Sequence, residues 1–96
     1  MVTWSRPAKS DLKNVHDFIA ESSRHYAKKV VHEIREKTDI LNELPAAGRM
    51  VPEIGSAEIR ELHIYSYRIM YEIVAGDAHV LAVIHKRRDF GPEDLP

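Results

Sequence analysis

Two stretches of the chain carry apolar residues at helical spacing, one directly after the other. In residues 7–22 the apolar positions are four, three and four residues apart: Ala8, Leu12, Val15 and Ile19. Residues 24–44 repeat this spacing: Ala27, Val31, Ile34, Thr38 and Leu41. Such stripes predict two amphipathic helices, with Ser5 and Ser23 at positions typical of N-caps. Because so few residues separate them, the helices should fold back as an αα-hairpin.

The rest of the chain changes to a period of two, which is typical of strands. Residues 67–74 alternate apolar and polar side chains, residues 58–64 and 78–85 are rich in β-formers, and residues 2–5 predict a short first strand. Pro45, Gly48, Pro52 and Gly55 mark residues 45–55 as a connecting loop. The order β-α-α-β-β-β predicts an α+β fold, with the αα-hairpin on one face of a mostly antiparallel four-stranded sheet.

Gly76-Asp77 between the last two strands is typical of a two-residue type II′ turn. A turn there would pair Ala75 with Ala78 and put Arg68 directly opposite His85 on the open face, the one away from the helices. The preceding hairpin, turning at Tyr65-Ser66, would pair Ile64 with Tyr67, Leu62 with Ile69 and His63 with Arg68. Ile59 interrupts the alternation, so the sequence allows a bulge there.

Composition narrows the class of protein. Ninety-six residues predict one domain, residues 1–96, and the absence of cysteine excludes disulfides, thiolate metal sites and cysteine nucleophiles. We find no signal peptide or long apolar run, which predicts a cytoplasmic protein with no membrane partner. The net charge of −1 disfavours a protein held on nucleic acid by bulk phosphate neutralisation.

Three side chains on the predicted open face could carry acid-base or phosphate chemistry: His63, Arg68 and His85. Glu53, in the connecting loop, could act as a general base. The structural alternatives are that Arg68 pairs with Glu61, Glu72 or a C-terminal acid, that His85 is an ordinary strand-end histidine, and that Glu53 is simply solvated.

Lys86-Arg87-Arg88 follows the last strand and could steer phosphates or an acidic protein surface, although three acidic residues follow closely: Asp89, Glu93 and Asp94. The helical histidines His16, His25 and His32 do not have the i, i+4 spacing of a helical metal site, so we predict no metal. The sequence has no Gly-rich phosphate loop, and we predict no cofactor.

Several short segments follow one another in an order and at a spacing that are typical of one protein superfamily. They are Trp4 and Ala8 before Asp11-Leu12, then Leu44-Pro45, Gly48-Arg49 and Pro52-Glu53, then Arg60-Glu61-Leu62, Ser66 to Tyr71, and Val83 to Asp89. On these segments the chain resembles the RelE/ParE toxin superfamily of type II toxin-antitoxin systems along nearly its whole length.

The resemblance implies a toxin that a small cognate antitoxin wraps and inactivates. ParE-like members poison DNA gyrase without catalysis, whereas RelE-like members cut mRNA on the ribosome; a third alternative is a non-toxic binding partner in an antitoxin-repressor complex. For the nuclease, Glu53, Arg68 and His85 match the base, phosphate ligand and acid. For gyrase, the expected target-binding residues are Arg60, Arg68, Lys86, Arg87 and Arg88. The net charge of −1 favours gyrase as the target and leaves mRNA as the second alternative.

Overall fold

The computed structural model of the protein describes residues 1–86. Within these residues, two helices and five strands follow one another. They are β1 (Thr3–Trp4), α1 (Arg6–Ala20), α2 (Arg24–Asp39), β2 (Arg49–Met50), β3 (Ile59–Ile64), β4 (Tyr67–Val74) and β5 (Asp77–His85). Short 3₁₀ turns at Ile40–Asn42 and Pro45–Ala47 connect α2 to β2.

Both helices begin at the predicted serine caps. The hydroxyl of Ser5 accepts from the backbone N–H of Ala8, and that of Ser23 accepts from Tyr26, each at 3.1 Å. The second helix is shorter than the predicted residues 24–44, because its end tightens into the 3₁₀ turn Ile40–Asn42. The hydroxyl of Thr38 donates to the carbonyl of Arg35 at 2.7 Å, a local bond that competes with regular helix.

The α+β class and the helical hairpin on one sheet face are confirmed, whereas the strand count was wrong. The sheet has five strands in the order β1-β5-β4-β3-β2, and β1 runs parallel to β5. The extra strand, β2, lies in the predicted connecting loop, where Arg49 pairs with Glu61 and Met50 with Arg60. This segment has no apolar alternation that could reveal it in the sequence.

The hairpin of β3 and β4 has the predicted register. Ile64 pairs with Tyr67, Leu62 with Ile69 and His63 with Arg68. The pairing continues without a shift to Ile59, so no bulge occurs there.

The predicted register of β4 and β5 was wrong. Val74 pairs with Asp77, so the turn residues are Ala75 and Gly76, with φ of 52° and 83°. Two positive φ angles are typical of a type I′ turn, which the sequence does not favour because alanine rarely adopts this conformation. Arg68 consequently lies opposite Ile84, not His85.

Leu81 of β5 forms a bulge, because it has no partner between the pairs Met70–Ala82 and Tyr71–Val80, and it reverses the alternation of β5. On the face of the sheet that packs against the helices, Tyr71 pairs with Val80 before the bulge and Ile69 pairs with Val83 after it. The residues sent to the other face, Ala82 and Ile84, pack with Met70 and the fully buried Val51. The face predicted to be open therefore has a small apolar cluster of its own, covered by residues 51–54.

Candidate functional site

The ion cluster, which we define as Arg49, Glu53, Glu61, His63 and Arg68, lies on this second face of the sheet. The guanidinium of Arg68 donates through both terminal nitrogens to the two carboxylate oxygens of Glu53, at 2.7 and 2.8 Å. Its Nε donates to Glu61 Oε1 at 2.6 Å. Glu61 Oε2 accepts from Arg49 Nε at 2.8 Å and lies 3.2 Å from His63 Nε2. Arg68 is therefore held between two carboxylates.

The loop before β3 brings Glu53 to Arg68. Val51, buried beneath the loop, donates its N–H to the carbonyl of Ile59 at 3.1 Å and accepts from Gly55 at 2.9 Å. Gly55 has a φ of 71°, a conformation that glycine adopts without strain. This closed turn presents the Glu53 side chain over β4.

Hydrogen bonding to Arg68 is the main reason that the pKa of Glu53 is lowered to about 2 from its ordinary value of 4.5. The same bonds to Glu53, followed by those to Glu61, raise the pKa of Arg68. Burial works to raise the pKa of Glu61, but hydrogen bonds from Arg68, Arg49 and His63 outweigh it and the pKa is lowered. Both glutamates are ionised at neutral pH, and a carboxylate with a pKa near 2 is a weak proton acceptor.

His85 lies on the other face of the sheet from this cluster. It pairs with Tyr67 across the strands, and the two rings meet edge to face with centroids 5.6 Å apart. The structure thus brings Glu53 and Arg68 together and separates His85 from both. The expectation that Arg68 and His85 share a face was wrong, because the bulge at Leu81 shifts the parity of β5 by one residue.

A cleft of about 370 Å³ adjoins the ion cluster. It is lined by Arg49, Pro52, Glu53, His63, Arg68 and Lys86. Arg60 instead binds backbone carbonyls, with Nε 2.9 Å from Ala57 O and Nη1 2.9 Å from Gly48 O, so it holds β2 against β3. Of the predicted target-binding residues, Arg68 and Lys86 line the cleft, and Arg87 and Arg88 lie outside the described residues.

A second surface, the aromatic groove, was not predicted from the sequence. It is formed by Phe18, Tyr26, Tyr65, Tyr67 and His85. Two adjoining hollows of about 320 and 300 Å³ share Phe18, Tyr67 and His85. Phe18 is 71% exposed. Its position beside Ile19, outside the apolar stripe of α1, was the available signal, because a large aromatic there points away from the core.

The outer edge of β5 runs beside the aromatic groove. β1 pairs with β5 only at His79 and Val80. Farther along, the carboxylate of Asp11 accepts the N–H of Val83 at 3.0 Å, which occupies one hydrogen-bond position that a strand would use. Within residues 1–86 no strand other than β1 pairs with this edge, and sheet edges of this kind accept additional strands from binding partners.

Within residues 1–86, no cluster of three or more acidic or histidine side chains is arranged to hold a metal ion. Over the same residues, neither helix has the length and apolar character required to cross a membrane.

Comparisons with known proteins identify a family of toxins. Residues 2–90 match the family model of the ParE toxin of the type II toxin-antitoxin system parDE. The chain is 30% identical over 88 residues to Toxin RelE2 of Caulobacter vibrioides, an alignment that covers 91% of this chain and 96% of that protein. A solved structure of the chromosomal ParDE system from P. aeruginosa superposes with a TM-score of 0.72 at 20% identity, covering 88% of this chain and 92% of that one.

Proposed function

Since this chain belongs to the ParE toxin family of type II toxin-antitoxin systems, we propose that it poisons DNA gyrase and that a cognate antitoxin neutralises it. The observation that carries the choice of target is the state of Arg68. Both of its terminal nitrogens bind Glu53 and its Nε binds Glu61, while His85 lies across the sheet.

A nuclease built on Glu53, Arg68 and His85 needs all three groups around one phosphate. To bind a phosphate with its fork, Arg68 has to give up charge-assisted hydrogen bonds, each contributing roughly 1.5–3 kcal/mol. A large rearrangement of β5 is also needed to bring His85 to the same face. A non-enzymatic toxin requires neither change.

The net charge of −1 also favours gyrase over the ribosome. A protein that enters an RNA-lined site gains affinity from each phosphate it neutralises. At Arg68, where the nuclease residues would meet RNA, the carboxylates of Glu53 and Glu61 offset that gain. Both targets are cytoplasmic, which is where we place the protein.

For the antitoxin, the aromatic groove is the surface that we propose. Phe18, Tyr26 and Tyr65 are exposed together at the surface of this groove. Proteins rarely leave several large aromatic side chains exposed in one place without a partner that covers them. The edge of β5 beside the groove, where residues 1–86 supply no strand beyond β1, suits an extended segment that pairs with the strand and inserts apolar side chains.

The ribosome-dependent nuclease remains the second candidate. The chain is 30% identical to a protein named Toxin RelE2, and RelE-like toxins cut mRNA on the ribosome. In a purified assay with gyrase and plasmid DNA, we expect the protein to trap cleaved DNA and inhibit supercoiling. In induced cells, primer extension on a reporter mRNA should find no new cuts.

Ribosome-dependent mRNA cuts that vanish in His85→Gln, with gyrase unaffected, would establish the nuclease instead. Normal growth and intact DNA after strong induction would establish a binding partner without toxicity.

A further inference from the structure

The two helices display a row of cations on each side of the groove between them. At its centre is a notch of about 210 Å³ lined by Lys9, Leu12, Lys13, His16, Val31 and Arg35. Helical periodicity adds Arg6 to the α1 row, and Arg24 and Lys28 to the α2 row, because residues three, four or seven apart share a face. We call this surface the basic groove: Arg6, Lys9, Lys13, His16, Arg24, Lys28 and Arg35.

Little negative charge compensates the basic groove. Lys13 and His16 share one acidic partner, Asp17, at 3.0 and 3.1 Å, and within residues 1–86 Lys9 and Arg35 form no ion pair. Arg35 instead lies over the Trp4 ring, 5.5 Å from its centroid, a cation-π contact that restrains the guanidinium.

Three other acidic residues of the two helices are engaged away from the groove, whereas Asp39 lies one helical turn from Arg35. Asp11 accepts the N–H of Val83, and Glu33 accepts the hydroxyl of Tyr65. Glu36 pairs with His32 at 3.0 Å. Although the whole chain has a net charge of −1, the fold therefore concentrates positive charge on one surface.

We propose that the basic groove binds the phosphate backbone of duplex DNA. The basic row of α1 runs from Arg6 to His16, roughly 15 Å along the helix, and its even spacing suits a regular polyanion. Among residues 1–86 the groove offers no free aromatic ring for stacking on unpaired bases, since Arg35 lies over Trp4, and this favours a duplex over a single strand. The contact is expected to be independent of base sequence, because only phosphates are recognised.

This inference adds to the proposed function a direct contact with the DNA that gyrase holds. It does not depend on gyrase being the target, because the groove can be tested with DNA alone. The binding should also depend strongly on salt, since each phosphate contact releases counterions.

The test is titration of a fluorescent 24-base-pair duplex with the full-length protein at several salt concentrations. We expect binding near 50 mM salt, and the logarithm of the binding constant should fall with the logarithm of salt with a slope of about −3 to −5. Lys9→Ala with Arg35→Ala should weaken binding about tenfold or more and reduce the slope by about 2, because two phosphate contacts are lost.

The matched control is Lys29→Ala with Lys37→Ala, which removes the same charge from exposed positions of α2 outside the groove. This pair should change affinity by less than about threefold and leave most of the slope. Thermal melting of both variants checks that they fold.

Three results would overturn the inference: no binding of the duplex near 50 mM salt, equal weakening by the two double variants, or preferential binding of a single-stranded RNA or of polyglutamate. If Lys9→Ala with Arg35→Ala loses DNA affinity but still poisons gyrase, the groove is a DNA site that poisoning does not require. If the wild type binds DNA and fails to poison gyrase, the target proposal fails alone.

Discussion

The carboxylate of Glu61 is completely buried, and two guanidinium groups satisfy it. Its replacement leaves Arg68, only 8% exposed, with one of its two counter-charges. We expect Glu61→Ala to lower the free energy of unfolding by about 3–5 kcal/mol, the usual cost of breaking a buried ion pair. Urea unfolding measures this change. Glu43→Ala, at an exposed position, should stay within about 0.5 kcal/mol of wild type, and a similarly small effect for Glu61→Ala would contradict the structure.

The ion pair of Glu53 predicts how stability depends on pH. Because Arg68 holds the pKa of Glu53 at about 2, below its ordinary value of 4.5, folding favours the ionised form. The stabilisation is fully present above about pH 4.5 and is lost as the pH falls towards about 2. Glu53→Gln should therefore lose less stability than wild type between pH 5 and pH 2. Melting temperatures across this range test it, and parallel pH profiles for the two proteins would refute it.

Some of these contacts between residues could be predicted from the sequence. The sequence offered Glu61 as a partner of Arg68, and the structure confirms this pair. The bond from Glu53 to Arg68 depends on the shape of an irregular loop, for which the sequence has no periodicity to follow. The same holds for the Tyr71 hydroxyl, which donates to Pro45 O at 2.6 Å and accepts from Gly48 N–H at 2.9 Å.

At the scale of elements, the turn between β4 and β5 predicts a stabilising substitution. Ala75 has a φ of 52°, a conformation that costs a residue with a Cβ about 1–2 kcal/mol. Ala75→Gly removes this strain at a smaller cost in backbone entropy, so we expect a gain of about 0.5–1 kcal/mol in the free energy of unfolding.

The matched control for the turn is Ala57→Gly. Ala57 is also exposed, but unlike Ala75 it does not have a positive φ. There the substitution should reduce stability by about 0.5–1 kcal/mol. Urea unfolding of both variants gives the comparison. If Ala75→Gly destabilises like Ala57→Gly, the turn does not lie where the structure places it.

Periodicity identified both helices and the three long strands, because each buries an apolar stripe or face that the sequence must encode. It failed where the chain departs from regular alternation. The bulge at Leu81 leaves apolar residues on both faces of β5, so two registers satisfy the sequence equally well. Coverage of the second face by Val51 selects between them, and that contact joins segments about thirty residues apart.

At the scale of the whole molecule, three surfaces of different chemistry surround the two apolar clusters of the fold. The ion cluster is nearly saturated by its own pairs, the basic groove has more basic side chains than ion pairs within residues 1–86, and the aromatic groove is apolar. These differences suit different partners: the cations suit a polyanion, and the exposed rings suit apolar side chains of a protein. The aromatic groove can be tested separately because Phe18 contributes to neither of the other two surfaces.

Phe18→Gln should weaken neutralisation by the antitoxin while the toxin itself stays folded. A large aromatic at the centre of an interface commonly contributes 2 kcal/mol or more to binding, so we expect at least a roughly 30-fold loss of affinity. Isothermal titration with the cognate antitoxin measures it, and growth of cells expressing both proteins gives the biological readout.

Leu44→Gln is the matched control for Phe18→Gln, because Leu44 is also apolar and 57% exposed but lies outside the aromatic groove. Both variants should keep their stability within about 0.5 kcal/mol, as surface substitutions usually do. Cells carrying the antitoxin should then grow with Leu44→Gln and arrest with Phe18→Gln. If the antitoxin protects against both variants equally and binds them with equal affinity, it covers another surface, and the exposed rings of the groove serve a different partner.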